Sequence, residues 1–226
     1  MSTRKWEVSN LAETVIAVDL DGVLAEYPDH FVNWVYEAKL TKSEKRQYDR
    51  DLHFGEPMTV LPLHWLKNHL SFNRYRALKS EYRKGGYELM MPPTYGAKSF
   101  IEWAKGIATV VVITARPTEE YINCVTDTYD WLEKNGLRVD HVLFSANKHV
   151  EVLEKYPHTL FMVEDHRYLA NLVARWGYPV FLIDTPYNEG DTLPGVLRAP
   201  TLQWIMNQPV SGKPDILQAR HLGGGV

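Results

Sequence analysis

The chain has 226 residues, of which 45% are hydrophobic and 23% charged, with 25 Lys and Arg against 28 Asp and Glu. That balance excludes general disorder, and a net charge of −3 excludes the basic excess of a surface built to coat polyanions. Cys124 is the one cysteine, which excludes an intrachain disulfide and a cysteine-ligated zinc cluster. The start, MSTRKWEVSN, is polar, and no apolar run approaches the length that a bilayer demands. A soluble, cytoplasmic protein is the expectation.

Taken in chain order, five short runs rich in β-branched residues have strand length: 15–18, 109–113, 141–144, 160–163 and 180–183. Their unbroken apolar character predicts burial on both faces. Segments with helical spacing lie between them at 97–105, 118–135, 148–156 and 167–176. Gly106, Gly136 and Gly177 follow three of these, where a helix end favours glycine in the left-handed conformation. The alternation predicts an α/β fold, a Rossmann-like three-layer α/β/α core around a central parallel sheet.

One long stretch interrupts the pattern. FVNWVYEAKL and LPLHWLKNHLSFNRYRALKSEYRK read as amphipathic helices with DLHFGEPMTV between them. They predict a mainly helical cap, residues 28–92, inserted after the first strand into a core made of 1–27 and 93–200. Residues 201–226 are expected to hold one short helix near 201–207 and a mobile glycine-rich tail. An insertion at that point sits over the carboxyl edge of the sheet, where open α/β sheets bind ligands.

The first strand runs straight into Asp19-Leu20-Asp21-Gly22. Two acids one residue apart, at about 4 Å and an effective dielectric near 20, repel by roughly 4 kcal/mol. Either a hard cation offsets that or one acid keeps its proton. Both solutions suit phosphoryl chemistry. An ionised Asp19 can attack phosphorus, and a protonated Asp21 can give a proton to the leaving oxygen and later take one from water. Gly22 allows a sharp turn and a close approach to phosphate. A strand-ending turn with solvated acids is the plain alternative.

Three later features weigh against that alternative. The second run ends at Thr114 and continues Ala115-Arg116, a hydroxyl and a guanidinium able to donate to phosphoryl oxygens; Thr114 or Thr118 can equally cap a helix. Another run ends in Glu164-Asp165, so parallel strands bring a third acid to the same edge, with Asp165 as cation ligand and Glu164 behind it. Lys148 opens a helix after HVLFS and can counter the charge of nucleophile and phosphate, with Lys155 as its rival. His166, beside Asp165, is the one histidine placed to support a ligand.

With these residues assembled, the chain resembles the haloacid dehalogenase-like hydrolase superfamily, through VDLDGVL at 18–24, VVVITARP at 110–117, Lys148 and FMVEDHR at 161–167. The resemblance implies an aspartyl-phosphate on Asp19 and Mg2+ held by Asp19, the backbone carbonyl of Asp21, and Asp165. Aspartate at position 21 resembles the phosphatase branch rather than the ion pumps or the dehalogenases. The segments PPTYGAKSFIEWAKG, TYDWLEKNG and VEDHRYLANLVARWGYPVFLIDTPYN are similar to the 5′(3′)-deoxyribonucleotidase group and its bacterial and phage relatives. The phosphatase domain of polynucleotide kinase also carries an arginine in its second motif.

The expected phosphate-binding set is Leu20, Gly22, Thr114, Ala115 and Arg116. The expected activity is Mg2+-dependent removal of phosphate from a nucleoside monophosphate. A 3′-phosphatase of DNA or RNA ends, or a module that binds without turnover, are the rivals; the acidic net charge disfavours nucleic acid. In the cap, Phe31, Trp34, Tyr36, Trp65, Tyr75 and Tyr82 are expected to form its own core rather than to stack a base, and Arg74, Arg76, Arg83 and Lys84 to form a solvated face rather than to contact a second phosphate or a nucleic-acid backbone.

Overall fold

The computed structural model describes residues 14–53 and 62–208. The readings of the polar N-terminus, of most of DLHFGEPMTV and of the glycine tail fall outside the described residues.

Strand β1 (Val15–Val18) is buried at all four positions and lies in the middle of the sheet. Strand β2 (Thr109–Thr114) pairs parallel with it on one side and β4 (Thr159–Glu164) on the other. Strand β3 (His141–Phe144) extends the sheet beyond β2, and β5 (Val180–Ile183) and β6 (Val196–Ala199) extend it beyond β4. The order β3-β2-β1-β4-β5-β6 is parallel throughout.

Alternate side chains of the strands serve the two faces, because successive residues of a strand point to opposite sides. Ile16, Val18, Val110, Val112 and Val163 meet helices α5 (Ala97–Lys105), α6 (Cys124–Lys134) and α9 (Leu202–Met206) through Phe100, Ile101, Trp131, Leu202 and Ile205. Val15, Ala17, Val111, Ile113 and Met162 meet helices α7 (Lys148–Glu154) and α8 (Arg167–Arg175) through Val152, Ala170 and Val173. Each such aliphatic side chain stabilises the fold by about 1.5–3 kcal/mol on burial. Helix α9 is therefore packed into the core.

The five predicted strands form, with β2 and β4 slightly longer than their apolar runs. The helix expected over 118–135 begins only at Cys124, since residues 118–123 form turns and Ile122 is 98% exposed. Gly136 and Gly177 adopt the left-handed conformation, whereas Gly106 has φ −72° and does not. Strand β6 was not legible as an apolar run: it lies at the sheet's edge, with Leu197 exposed and the partly buried Arg198 beside it.

The insertion holds helices α1 (Asp29–Lys39), α2 (Lys42–His53), α3 (Pro62–His69) and α4 (Phe72–Lys84). The second predicted amphipathic segment is divided at Leu70-Ser71, where the Ser71 hydroxyl accepts from the Arg74 N–H and starts α4. Phe31, Val35, Tyr48, Leu52, Trp65, Leu66, Leu78 and Tyr82 form a hydrophobic core of its own, against which Trp34, Tyr36 and Tyr75 pack. The cap aromatics are thus structural: the Phe31 and Tyr82 rings meet edge to face at 5.2 Å. A 3-10 turn (Tyr87–Met90) leads back to α5, and the Trp131 indole donates to Met91 O at 2.8 Å, fixing that return to α6.

Candidate active site

From β1 the chain builds outward through β2 and β3 on one side, and through β4, β5 and β6 on the other. The carboxyl ends of β1 and β4 therefore flank the point where strand order reverses, the position at which such sheets form ligand sites. The Asp19 N–H donates to Val163 O at 2.9 Å, which locks the end of β1 to β4. Asp19, Glu164 and Asp165 are 5%, 0% and 8% exposed, and one carboxylate oxygen from each lies within 4.8 Å of the others.

Lys148 enters the same space from the first residue of α7 and is 2% exposed. Its ammonium pairs with Asp19 Oδ2 and, at 3.2 Å, with Glu164 Oε2. Lys155 lies at the other end of that helix, where its half-exposed side chain pairs with Glu151 at 2.7 Å. Of the two lysines, Lys148 is the one beside Asp19.

Three acids and one ammonium leave an excess of buried negative charge. Burial and then the charge of Glu164 push the Asp19 carboxyl well above its ordinary range in spite of Lys148. Burial raises Glu164 against the pull of Lys148, and burial with the Asp19 charge pushes Asp165 up to about 7. Burial opposes the charge of Lys148, but Asp19 and Glu164 outweigh it and hold the ammonium above the ordinary lysine value.

This donor set fits a hard divalent cation: clustered carboxylate oxygens, too little positive charge among them, and no soft ligand. Asp19, whose oxygens meet Lys148 and the Leu20 N–H, and Asp165, whose Oδ2 accepts from Tyr187, bring carboxylate oxygens to the cluster. Glu164 is otherwise engaged, since Oε1 accepts from the N–H groups of Asp165 (3.2 Å) and His166 (3.0 Å) and Oε2 from Lys148. That suits a residue behind the ligands.

Asp21 is held differently. Arg116 grips it with two bonds, Nε to Oδ2 at 3.0 Å and Nη2 to Oδ1 at 2.7 Å, while Nη1 donates to the Thr128 hydroxyl at 3.2 Å. Burial works against the Asp21 charge, but the charge and hydrogen bonds of Arg116 outweigh it and hold the carboxyl below its ordinary value. Arg116 therefore favours the charged form of Asp21, whereas acid catalysis by Asp21 needs a proton there. The guanidinium expected to reach phosphate is committed to orienting Asp21. Glu88, at the cap's return, lies 3.9 Å from Arg116 and 3.3 Å from Arg83 of α4, so an alternating chain of charges runs from cap to Asp21.

Gly22 has φ +89°, and a Cβ built there would lie 2.1 Å from Asp165 Oδ2. Only glycine lets the loop after β1 pass so close to the fourth motif. Among the other expected phosphate-binding positions, Leu20 donates its N–H to Asp19 Oδ1 at 2.6 Å. Thr114 is fully buried and its hydroxyl accepts from the Arg116 N–H at 3.3 Å, and Ala115 between them is exposed at the edge. His166 is exposed and touches the site through its backbone.

Residues that the sequence reading did not single out support the acids. The Tyr187 hydroxyl donates to Asp165 Oδ2 at 2.6 Å, and the Asn188 amide donates to Asp165 O at 2.8 Å and Ile183 O at 2.7 Å. Arg198 of β6 holds Asn188 in turn, through Oδ1 at 3.0 Å and its carbonyl at 2.8 Å. The signal was present as Thr185-Pro-Tyr-Asn188 after β5, which forms a capping box at the sheet's carboxyl edge.

No protein-family model matches the chain. The candidate nucleotidase YqfW of Bacillus subtilis strain 168 is 30% identical over 118 residues, 49% of this chain; the chain spans 58% of the length of that relative. Among solved structures, the candidate HAD-hydrolase YfnB from Bacillus subtilis, bound to magnesium, superposes with a TM-score of 0.54 at 15% identity over 87% of this chain and 99% of that one. A candidate β-phosphoglucomutase from Thermotoga maritima gives 0.52 at 17% identity over 86% and 97%. Its parallel sheet, the helices on both faces and these superpositions establish that the chain has the Rossmann-like fold of haloacid dehalogenase-like hydrolases.

Proposed function

We propose that the chain is a Mg2+-dependent phosphomonoesterase that works through an aspartyl-phosphate on Asp19 and acts on nucleoside monophosphates. The observation that carries this reading is the meeting of Asp19, Lys148, Glu164 and Asp165 at the strand-order reversal, with Asp21 held beside them by Arg116. The nucleotide part rests on the name of the partial relative and on the resemblance of the core segments.

A carboxylate oxygen of Asp19 attacks phosphorus, and the bond from phosphorus to the ester oxygen breaks. Asp21 supplies a proton to that oxygen, and the alcohol leaves. Water then attacks the phosphorus of the aspartyl-phosphate, Asp21 takes its proton, and the carboxylate of Asp19 is released with inorganic phosphate. Asp19 must be ionised to attack, which the Lys148 ammonium paired with it favours, and Asp21 takes up its proton from water against the pull of Arg116. Lys148 offsets negative charge where the phosphoryl group is transferred. Asp19, Asp165 and the Asp21 carbonyl would hold Mg2+, which when bound supplies positive charge to the phosphoryl oxygens.

The test is phosphate release from p-nitrophenyl phosphate and a panel of nucleotides in the presence of Mg2+. Release from nucleoside monophosphates that Asp19→Asn abolishes is the expected result. Activity that survives this substitution counts decisively against the reading.

A further inference from the structure

The basic residues of α4 fall into two sets. Arg74 is turned to the outside of the cap, where it pairs with Glu44 and donates to Lys39 O at 3.1 Å. Arg76 stacks over the exposed Phe72 ring, 5.6 Å from its centre, and Lys84 is exposed. These three form the solvated face expected from the sequence. Arg83 does not, because it is drawn to Glu88 and lies 5.6 Å from the Tyr121 ring centre.

Lys79, which the sequence reading passed over, is turned inward as well. It precedes Arg83 by one helical turn and follows Tyr75 by another, on the side of α4 that faces the seam between cap and core. Its ammonium lies over the ring of Tyr27, 5.5 Å from the centre, and Tyr27 belongs to the segment that carries the chain away from Asp21. Among the described residues no carboxylate forms an ion pair with it.

Burial and the charges of Arg83 and Lys67 bring its pKa down to about 8, against the attraction of Asp21 and Glu88. A desolvated ammonium beside other cations, and paired with no carboxylate among the described residues, is stabilised by an anion brought in from outside.

We propose that Lys79 anchors a second phosphate of the substrate, so that the preferred substrate is a nucleotide with a phosphate beyond the one transferred to Asp19, as in a nucleoside 3′,5′-bisphosphate. This rests on the phosphatase reading above and names the substrate class of that same site. A mononucleotide is favoured over a nucleic-acid strand because three of the cap's outward cations are already paired: Arg74 with Glu44, Lys39 with Glu81 and Lys45 with Glu37.

The test compares kcat/KM for a nucleoside monophosphate and the matching 3′,5′-bisphosphate, with Mg2+, in the wild type and in Lys79→Met, Lys79→Arg and Lys84→Met. One charge-assisted contact predicts a preference for the bisphosphate of about tenfold or more. Lys79→Met brings that ratio close to one, Lys79→Arg keeps most of it, and Lys84→Met keeps all of it. Calorimetry of both nucleotides with Asp19→Asn, alone and combined with Lys79→Met, reads the second phosphate without turnover. Tighter bisphosphate binding that depends on Lys79, with no hydrolysis by the wild type, sinks the phosphatase reading and leaves the anchor. Turnover without a bisphosphate preference overturns the anchor and leaves the phosphatase. A 3′-phosphorylated oligonucleotide hydrolysed faster than both mononucleotides overturns the assignment to a mononucleotide.

Discussion

Replacing Lys148 with methionine keeps the length of the side chain and removes the one cation between Asp19 and Glu164. At the observed 3.2 Å, a unit pair in an effective dielectric near 20 interacts by roughly 5 kcal/mol. Deleting one partner of a buried pair leaves the other charged and desolvated, and the net cost is about 3–5 kcal/mol. Against a total stability of about 5–15 kcal/mol, that is a large fraction. The loss depends on pH in a definite direction. Without Lys148 the folded-state carboxyls of Asp19 and Glu164 rise further above their unfolded values, so the folded state binds more protons. Stability of the variant then falls as pH rises through those folded values and recovers on acidification. Urea unfolding with a chelator present, at about pH 7.5 and about pH 5.5, measures both effects. The expected outcome is a deficit of about 3–5 kcal/mol at the higher pH that shrinks at the lower. Lys155→Met, which removes an exposed pair, costs at most about 0.5 kcal/mol. A Lys148→Met deficit below about 1 kcal/mol, equal at both pH values, would refute the charge balance drawn here.

Gly22→Ala forces a Cβ onto Asp165 at a φ that side chains avoid, so a loss of about 3 kcal/mol or more is expected by thermal or urea unfolding, together with loss of phosphate release. Tyr187→Phe removes the hydroxyl that orients Asp165, and calorimetric titration should find Mg2+ affinity lower by about tenfold with the fold intact; unchanged affinity contradicts that role. In the cap, Glu44 has its pKa lowered to about 2, with the hydrogen bond from Arg74 as the largest cause. A depressed acid stabilises the fold above its unfolded pKa and loses that contribution as pH falls through the folded one. Acid unfolding should therefore begin at higher pH in Arg74→Ala, by an effect of about 1 kcal/mol because both side chains are partly exposed.

What the sequence disclosed follows from the kind of signal each element carries. β1 and β5 are unbroken apolar runs because both of their faces are covered, and their bounds are readable to the residue; β3, at the edge of the sheet, is exposed at His141 and only partly buried after it, against the expectation of burial on both faces. β6 has one covered neighbour, exposes Leu197 and carries Arg198, so it leaves no such run, although that arginine secures the loop beneath Asp165. Helix α2 is charged nearly all round and buries little beyond Tyr48 and Leu52. Its readable mark is the box Thr41-Lys-Ser-Glu44, in which the Thr41 N–H donates to Glu44 at 2.8 Å and the Thr41 hydroxyl accepts from the Glu44 N–H at 3.3 Å.

In the site, the acids were legible because each ends an apolar strand. Lys148 and Lys155 are separated by pairing, one buried beside Asp19 and the other on the surface with Glu151, which spacing alone does not reveal. The commitment of Arg116 to Asp21, the link from Glu88 to Arg83 and the inward turn of Lys79 depend on how the cap meets the core. Each joins residues from distant parts of the chain, so no local pattern announces it.

Acid quenching during turnover of a nucleoside monophosphate with Mg2+, followed by mass spectrometry of the peptide that carries residues 14–27, tests the phosphoryl-enzyme directly. Phosphate attached at Asp19 in the wild type, and absent in Asp19→Asn, is the predicted result. A fully active enzyme whose Asp19 never carries phosphate during turnover would contradict the mechanism.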